Sequence, residues 1–174
     1  MIIRKALQSD IVALGKFYDE QVRWMDENEC NFPKWTYKGY PTESTVRWTI
    51  GEGTQFLCVE GDEIVGAFVL NTDPMGAYDR VHWSRPFKQG EYLIIHMLVT
   101  SHQHLGEGIG KAMTEYCIAA AKNNNFLGIR LDVVPGNIPA VRLYEKCGFH
   151  FLEEADLERG VEKIPTFLMF ECDF

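Results

Sequence analysis

The chain lacks a run of apolar residues long enough to span a bilayer, although 46% of its 174 residues are hydrophobic. It has five cysteines, Cys30, Cys58, Cys117, Cys147 and Cys172, an odd number with no CxxC pair. Neither a disulfide framework nor a cysteine-based zinc site is therefore expected, and a reducing, cytoplasmic setting is. His102 and His104 stand close together, but no carboxylate or cysteine in the sequence pattern completes a ligand set, so no metal is expected. Basic residues are few: 17 Lys and Arg face 25 Asp and Glu, for a net charge of −8. The last 25 residues alone contribute −5, from seven acids and two bases. Nucleic acid is a poor partner for such a chain. A cationic amine would be steered towards it, while the same acidity serves solubility. The opening Met-Ile-Ile-Arg-Lys has no apolar core of a signal peptide and reads as a first strand. With no internal repeat, low-complexity stretch or linker, residues 1–174 read as one domain.

What the sequence does have is a strand, a glycine loop and a helix in succession. Residues 91–113 read EYLIIHMLVTSHQHLGEGIGKAM. Residues 92–99 are dominated by Leu, Ile, Val and Met and predict a buried strand. After a polar stretch come Gly106, Glu107, Gly108, Ile109 and Gly110. Apolar residues then recur at Ile109, Ala112, Met113, Tyr116, Cys117, Ala120 and Ala121, one face of a helix. Such a unit points several backbone N–H groups at one place, and glycine lets an anion approach them, so the stretch predicts a phosphate cradle. Two common cradles are excluded. A Walker loop would need Gly where Leu105 stands and Ser or Thr where Ala112 stands. The dinucleotide fingerprint starting at Gly106 would need Gly where Lys111 stands.

The remaining Gly-x-Gly-x-Gly pattern resembles that of the GNAT superfamily of acyl-CoA-dependent N-acyltransferases. Their signature is Arg or Gln, two residues, Gly, one residue, then Gly or Ala. Aligning it on Gly108 and Gly110 puts Leu105 at the Arg or Gln position; aligning it on Gln103, Gly106 and Gly108 satisfies the letters but starts the helix two residues early. A second stretch, IRLDVVPGNIPAVRLYEKCGF at residues 129–149, carries the resemblance further, with Asn137, Ala140, Leu143, Tyr144, Gly148 and Phe149 in the family's register. In physical terms residues 129–134 are a strand, Asn137 is a helix N-cap, Pro139 is tolerated in a first turn, and Gly148 stops the helix.

The rest of the chain fits around these two stretches. A first strand over residues 2–7 precedes a helix capped by Ser9 and Asp10 that runs to about Asn28, with Ile11, Leu14, Phe17, Tyr18, Val22 and Met25 on one face. Residues 31–41 form a loop holding Phe32, Trp35, Tyr37 and Tyr40, readable either as a substrate wall or as a cover for the core edge. Residues 42–50 predict a short helix. Gly61-Asp62 between two strand-like runs predicts a hairpin. Residues 72–90 are a long connection with Tyr78, His82 and Trp83. Strands over residues 149–157 and 165–174 end the chain. The order predicts an α/β fold, which the resemblance makes the GNAT fold: a twisted mixed sheet of about seven strands flanked by about four helices. In that family the fourth and fifth strands splay apart and the pantetheine arm hydrogen-bonds the exposed strand.

The resemblance implies an N-acetyltransferase using acetyl-CoA as cosubstrate, the alternative being a CoA- or nucleotide-binding regulatory module without catalysis. It carries coenzyme contacts onto Met97, Leu98 and Val99 of the strand and onto Leu105, Gly106, Glu107, Gly108, Ile109, Gly110 and Lys111 of the loop. Asn137, Ala140, Tyr144 and Lys146 belong to the same set. Tyr144 falls at the family's general-acid position. For the base, Glu91 precedes the strand near where several family members carry a glutamate, His96 lies within it, and a water relay is the third choice. Strand alternation puts His96 on the face of Leu98 and opposite Met97. No cysteine sits in a nucleophile setting, so direct attack in a ternary complex is expected rather than a covalent relay. The acceptor is expected to be a small amine or a peptide N-terminus, no nucleic-acid or membrane partner is expected, and the chain itself is expected to be a monomer or homodimer.

Overall fold

The computed structural model describes residues 1–161 and 163–174. Among them the chain forms seven strands in one mixed sheet, ordered β1-β2-β3-β4-β5-β7-β6, and four α-helices. It gathers into two compact units, Met1–Leu70 with Met97–Met113, and Asn71–His96 with Thr114–Phe174.

The first unit is built on an antiparallel hairpin. β1 (Ile2–Lys5) pairs with β2 (Gln55–Glu60), which pairs with β3 (Glu63–Asn71) across the predicted turn. α1 (Ile11–Glu27) buries Ile11, Leu14, Phe17, Tyr18 and Val22, the stripe its spacing predicts. Asp10 precedes it as expected but not as a side-chain cap. Its carboxylate accepts the Leu7 N–H at 2.7 Å and both Arg4 guanidinium nitrogens at 2.7 and 2.9 Å, which holds it below the usual carboxylate range. α2 (Glu43–Gly51) starts at Thr42, whose hydroxyl accepts the Thr45 N–H. Trp35 of the aromatic loop packs against this core, with its ring 5.9 Å from that of Tyr18, so this aromatic covers the core edge.

In the second unit β5 (Gly128–Val133) pairs antiparallel with β7 (Phe167–Asp173), and β7 with β6 (His150–Ala155). β6 is shorter than its sequence pattern, because Phe149 and Leu157 leave the ladder and are buried instead. α4 (Ile138–Lys146) begins where Asn137 Oδ1 accepts the Ala140 N–H at 3.3 Å. It ends in a complete Schellman motif: Gly148, at φ +91°, donates to the Glu145 carbonyl and Phe149 donates to that of Tyr144. The accompanying hydrophobic contact is the Tyr144 ring against Phe149, at 5.6 Å. The Leu-Tyr-x-x-x-Gly-Phe spacing is thus a helix stop as well as a family mark.

β4 (Tyr92–Thr100) contributes to both units. Tyr92 and Ile94 pack in the second unit's core, whereas Met97 and Val99 pack in the first. Met97 has φ +53°, a left-handed value rarely adopted by a side chain of its size. Simple alternation, which put His96 with Leu98 and opposite Met97, is therefore interrupted at this residue. The Tyr18 hydroxyl donates to the Met97 carbonyl at 3.2 Å and so helps to hold the irregular backbone.

α3 (Ile109–Asn123) rests on β3 at a residue without a side chain. A Cβ at Gly66 would come within 2.8 Å of Met113 Sδ and 3.2 Å of Ile109 Cγ2. We predict that Gly66→Ala is tolerated, because the thioether end of Met113 swings aside, whereas Gly66→Val overpacks the site and costs about 1–3 kcal/mol. Urea unfolding of the two variants measures this, and a neutral Gly66→Val would show that the contact is slack.

Candidate active site

In the first unit the strand–loop–helix stretch has the form of a cradle. After β4, residues His102–His104 make one turn of 3-10 helix, and α3 begins at Ile109, between Gly108 and Gly110 and not two residues earlier. At the start of the helix the Ala112 N–H donates to the Gly108 carbonyl at 3.0 Å, so Gly108 stands at the helix N-terminus, the end that carries partial positive charge. Gly106 and Gly108 have φ of +84° and +81°, and a Cβ built on either meets nothing within 4 Å. The conformation requires glycine and the space beside the backbone is open, which is what close approach of an anion needs. Leu105 is 57% exposed and offers no polar group. Lys111 is exposed in the first turn. The turn before the loop is held by Gln21, buried on α1, whose Oε1 accepts the His102 N–H at 2.7 Å. Trp24 stacks on the His102 ring at 5.1 Å. The sequence pattern had no carboxylate to pair with the histidines, yet the fold supplies two: Glu107 and Glu63 face His104 at 2.9 and 3.3 Å. They form ion pairs, and among the described residues no cluster is placed to hold a metal ion.

The second unit holds the titratable groups. The parallel ladder of β4 with β5 contains three pairs, Tyr92 with Gly128, Leu93 with Ile129 and Ile94 with Arg130. Both strands continue beyond it, so they part after Ile94, and His96 and Asp132 lie past the parting. His96 Nε2 is 2.9 Å from the Asp73 carbonyl, an acceptor only, so Nε2 carries the proton and Nδ1 the lone pair. Among the described residues Nδ1 has no hydrogen-bond partner, and it is not sealed in the interior. Burial is the main cause of a pKa below the ordinary histidine value, opposed by the charge of Asp132.

Asp132 is the hub of this unit. It accepts the Tyr78 hydroxyl at 2.7 Å and both terminal nitrogens of Arg159 at 2.8 and 2.6 Å. Arg159 also donates from Nε to the Met75 carbonyl at 2.5 Å, and so ties β5 to the connection that carries Asp73. Further along that connection, the buried Arg130 guanidinium lies between the rings of Tyr92 and Trp83, at 4.0 and 4.1 Å, and donates to the Arg85 carbonyl. Tyr144 is 7% exposed. Its hydroxyl makes no hydrogen bond to a described residue and is not sealed in, and burial first, with the nearby thiol of Cys117 and the Asp132 charge adding to it, raises its pKa. His96 and Tyr144 therefore both feel Asp132.

Of the sequence-predicted residues, Met97, Leu98 and Val99 are half-buried on β4 beyond the parting. Ala140 is half-buried in the first turn of α4, and Lys146 is exposed in its last. Glu91 lies elsewhere. It is exposed, one residue before the paired part of β4, with its carboxylate accepting the Lys88 N–H at 2.8 Å and its carbonyl the Leu127 N–H. Asp132 and Arg159 were not singled out, and Tyr78 was named only as part of the long connection. A carboxylate inside the apolar run of β5 was the available signal for Asp132.

Comparison with known proteins identifies the family and the fold. The family model described as the acetyltransferase (GNAT) family matches residues 20–149. Streptothricin acetyltransferase of Escherichia coli is 42% identical over 55 residues, and the match spans 32% of each chain, so this chain covers about a third of that relative's length. A GNAT-family acetyltransferase from Streptococcus agalactiae 2603 superposes with a TM-score of 0.79 at 17% identity, covering 99% of this chain and 95% of the other. The Salmonella typhimurium protein yncA, solved with acetyl-CoA as its cofactor, gives 0.70 at 15% identity over 99% and 93%. These structural likenesses are likenesses of fold, whereas the family match covers most of the chain: it belongs to the acetyltransferase (GNAT) family.

Proposed function

We propose that this acetyltransferase moves the acetyl group of acetyl-CoA to a primary amine by direct attack in a ternary complex. The observation that carries the reading is His96, a histidine with one ring nitrogen committed to a backbone carbonyl and the other open, just past the point where β4 leaves β5.

The chain's residues fit the coenzyme. The open, left-handed glycines at 106 and 108, the helix N-terminus and Lys111 suit a pyrophosphate. The backbone of Met97, Leu98 and Val99, beyond the β4–β5 ladder, suits the pantetheine amides. When bound, acetyl-CoA supplies a thioester carbonyl open to attack and a thiolate leaving group. The protein's part is proton management. An alkylamine is charged at neutral pH, so it must lose a proton before it can attack, and His96 Nδ1 accepts it. The depressed pKa keeps that nitrogen unprotonated at neutral pH. The Tyr144 hydroxyl, kept protonated by its raised pKa, hydrogen-bonds the leaving sulfur and gives it a proton. Glu91 has no part in this scheme, since its carboxylate closes a turn five residues ahead of His96. A covalent relay is not needed, and burial raises the thiol pKa of Cys58, Cys117 and Cys172, the opposite of an activated nucleophile.

The acceptor class rests on the acidic charge of the chain and on the relative that acts as a streptothricin acetyltransferase, which together favour a small cationic amine over a peptide N-terminus. Five free cysteines fit a reducing compartment such as the cytoplasm. No helix among the described residues is long and apolar enough to cross a membrane.

Two outcomes are expected. In a panel of amines assayed by release of the CoA thiol, small cationic amines react, and double-reciprocal plots intersect. Against a reacting amine, His96→Gln lowers kcat by on the order of 10²–10⁴-fold with little change in CoA affinity. The wild-type acid limb falls below the ordinary histidine pKa, because kcat is lost only as pH drops through the depressed value, and His96→Gln lacks that limb. An unchanged kcat in His96→Gln would remove the base from this position. Tyr144→Phe keeps the ring against Phe149, and with it the Schellman contact, so its Tm should hold while kcat falls by about 10²–10⁴-fold. A loss of stability with unchanged kcat would leave Tyr144 a packing residue.

A further inference from the structure

The loop read above as the pyrophosphate cradle contains a charge of the wrong sign. Glu107 lies between Gly106 and Gly108, and a carboxylate beside a polyanion weakens its binding. The structure shows what offsets it. His104 Nδ1 is 2.9 Å from Glu107 Oε2, and its Nε2 is 3.3 Å from Glu63 Oε1 at the start of β3. A neutral imidazole has one N–H and one lone pair, so it can donate to only one of two carboxylates. The imidazolium donates to both. Glu107 and Glu63 side chains are 55% and 53% exposed, while that of His104 is 21% exposed, so the ring is the most buried of the three and sits between the two carboxylates.

We propose that His104 is a positioning residue of the coenzyme site: as the imidazolium it draws the Glu107 carboxylate towards itself and cancels its charge, so that the loop meets the pyrophosphate as a net donor surface. This rests on the reading that residues 106–111 hold the pyrophosphate. The charged groups that face His104 are Glu107 from the loop and Glu63 from β3, and both favour its protonated form, Glu107 more strongly. The sign follows. With its pKa raised above the ordinary value, His104 stays charged through the usual histidine range and loses its proton as pH rises past it. Glu107 is then uncompensated, and CoA binding weakens with rising pH. This is the opposite direction from the acid limb assigned to His96, and it is read in affinity rather than in kcat.

Calorimetric titration of CoA into the full chain between about pH 6 and 9 tests this, using wild type, His104→Gln, Glu107→Gln and the double variant, each checked for folding by its melting curve. The phosphate protons of CoA titrate near the bottom of this range, at about pH 6, and affect all four proteins alike. At pH 6.5 His104→Gln should bind CoA roughly 3- to 10-fold more weakly than wild type, less so in high salt. Glu107→Gln should bind at least as tightly as wild type and lose the alkaline decline, and adding it to His104→Gln should restore affinity. A double variant as weak as His104→Gln would show that the histidine acts through the shape of the turn and overturn the proposal. Unchanged affinity in His104→Gln would overturn it too. Gly108→Val separates the two readings: if that variant also binds CoA like wild type, the cradle reading falls and takes this proposal with it, whereas if it loses CoA while His104→Gln does not, only the role of His104 fails.

Discussion

A strand inside a sheet has hydrogen-bonding groups along both edges, and buried groups of this kind must be paired. β4 gives one edge to β5 for only three residues. Beyond Ile94 that edge is free of β5, and the irregularity follows at once: His96 stands past the last pair, and Met97 adopts a left-handed conformation steadied by the Tyr18 hydroxyl. A parallel pair kept in register to the end of β4 would leave no backbone for an extended ligand to pair with. On the proposed reading the parting of these two strands decides where a coenzyme arm would bind, and which side chains would stand next to it.

Electrostatics repeats one device in each unit. The chain is strongly acidic, and on the proposed reading its cosubstrate is a polyanion, so carboxylates near the backbone that would hold it need local compensation. In the second unit Asp132 is taken up by Arg159 and Tyr78. What remains of its charge reaches His96 and Tyr144, where it opposes the effect of burial on the first and adds to it on the second. In the first unit Glu107 is taken up by His104. On the proposed reading each carboxylate modulates a neighbour that the chemistry would use, and substitutions that change charge without changing shape are the ones that test this.

The elements were largely legible in the sequence because their signals are local. The stripe of α1, the Gly61-Asp62 turn, the Asn137 cap and the Gly148 stop all act within a few residues of themselves. The glycine loop was legible for the same reason, and the start of α3 at Ile109 lies where one of the two alignments put it. What was not legible depends on partners far apart in sequence. Arg159 meets Asp132 from 27 residues away, and Glu63 meets His104 from 41. The bend at Met97 has no glycine to announce it, and the hydroxyl that steadies it comes from α1, far away in sequence. The bond between the Glu91 carboxylate and the Lys88 N–H was likewise not legible from its position before the strand.

The central claim is that acetyl-CoA lies along β4 beyond Ile94 and ends on the first turn of α3. Residue-resolved amide hydrogen exchange, with and without saturating acetyl-CoA, measures this on the backbone itself. The account predicts slower exchange within residues 95–99 of β4 and at residues 108–111, with β1 and β2 unchanged. Acetyl-CoA binding that leaves both stretches as fast as in the free protein would contradict it.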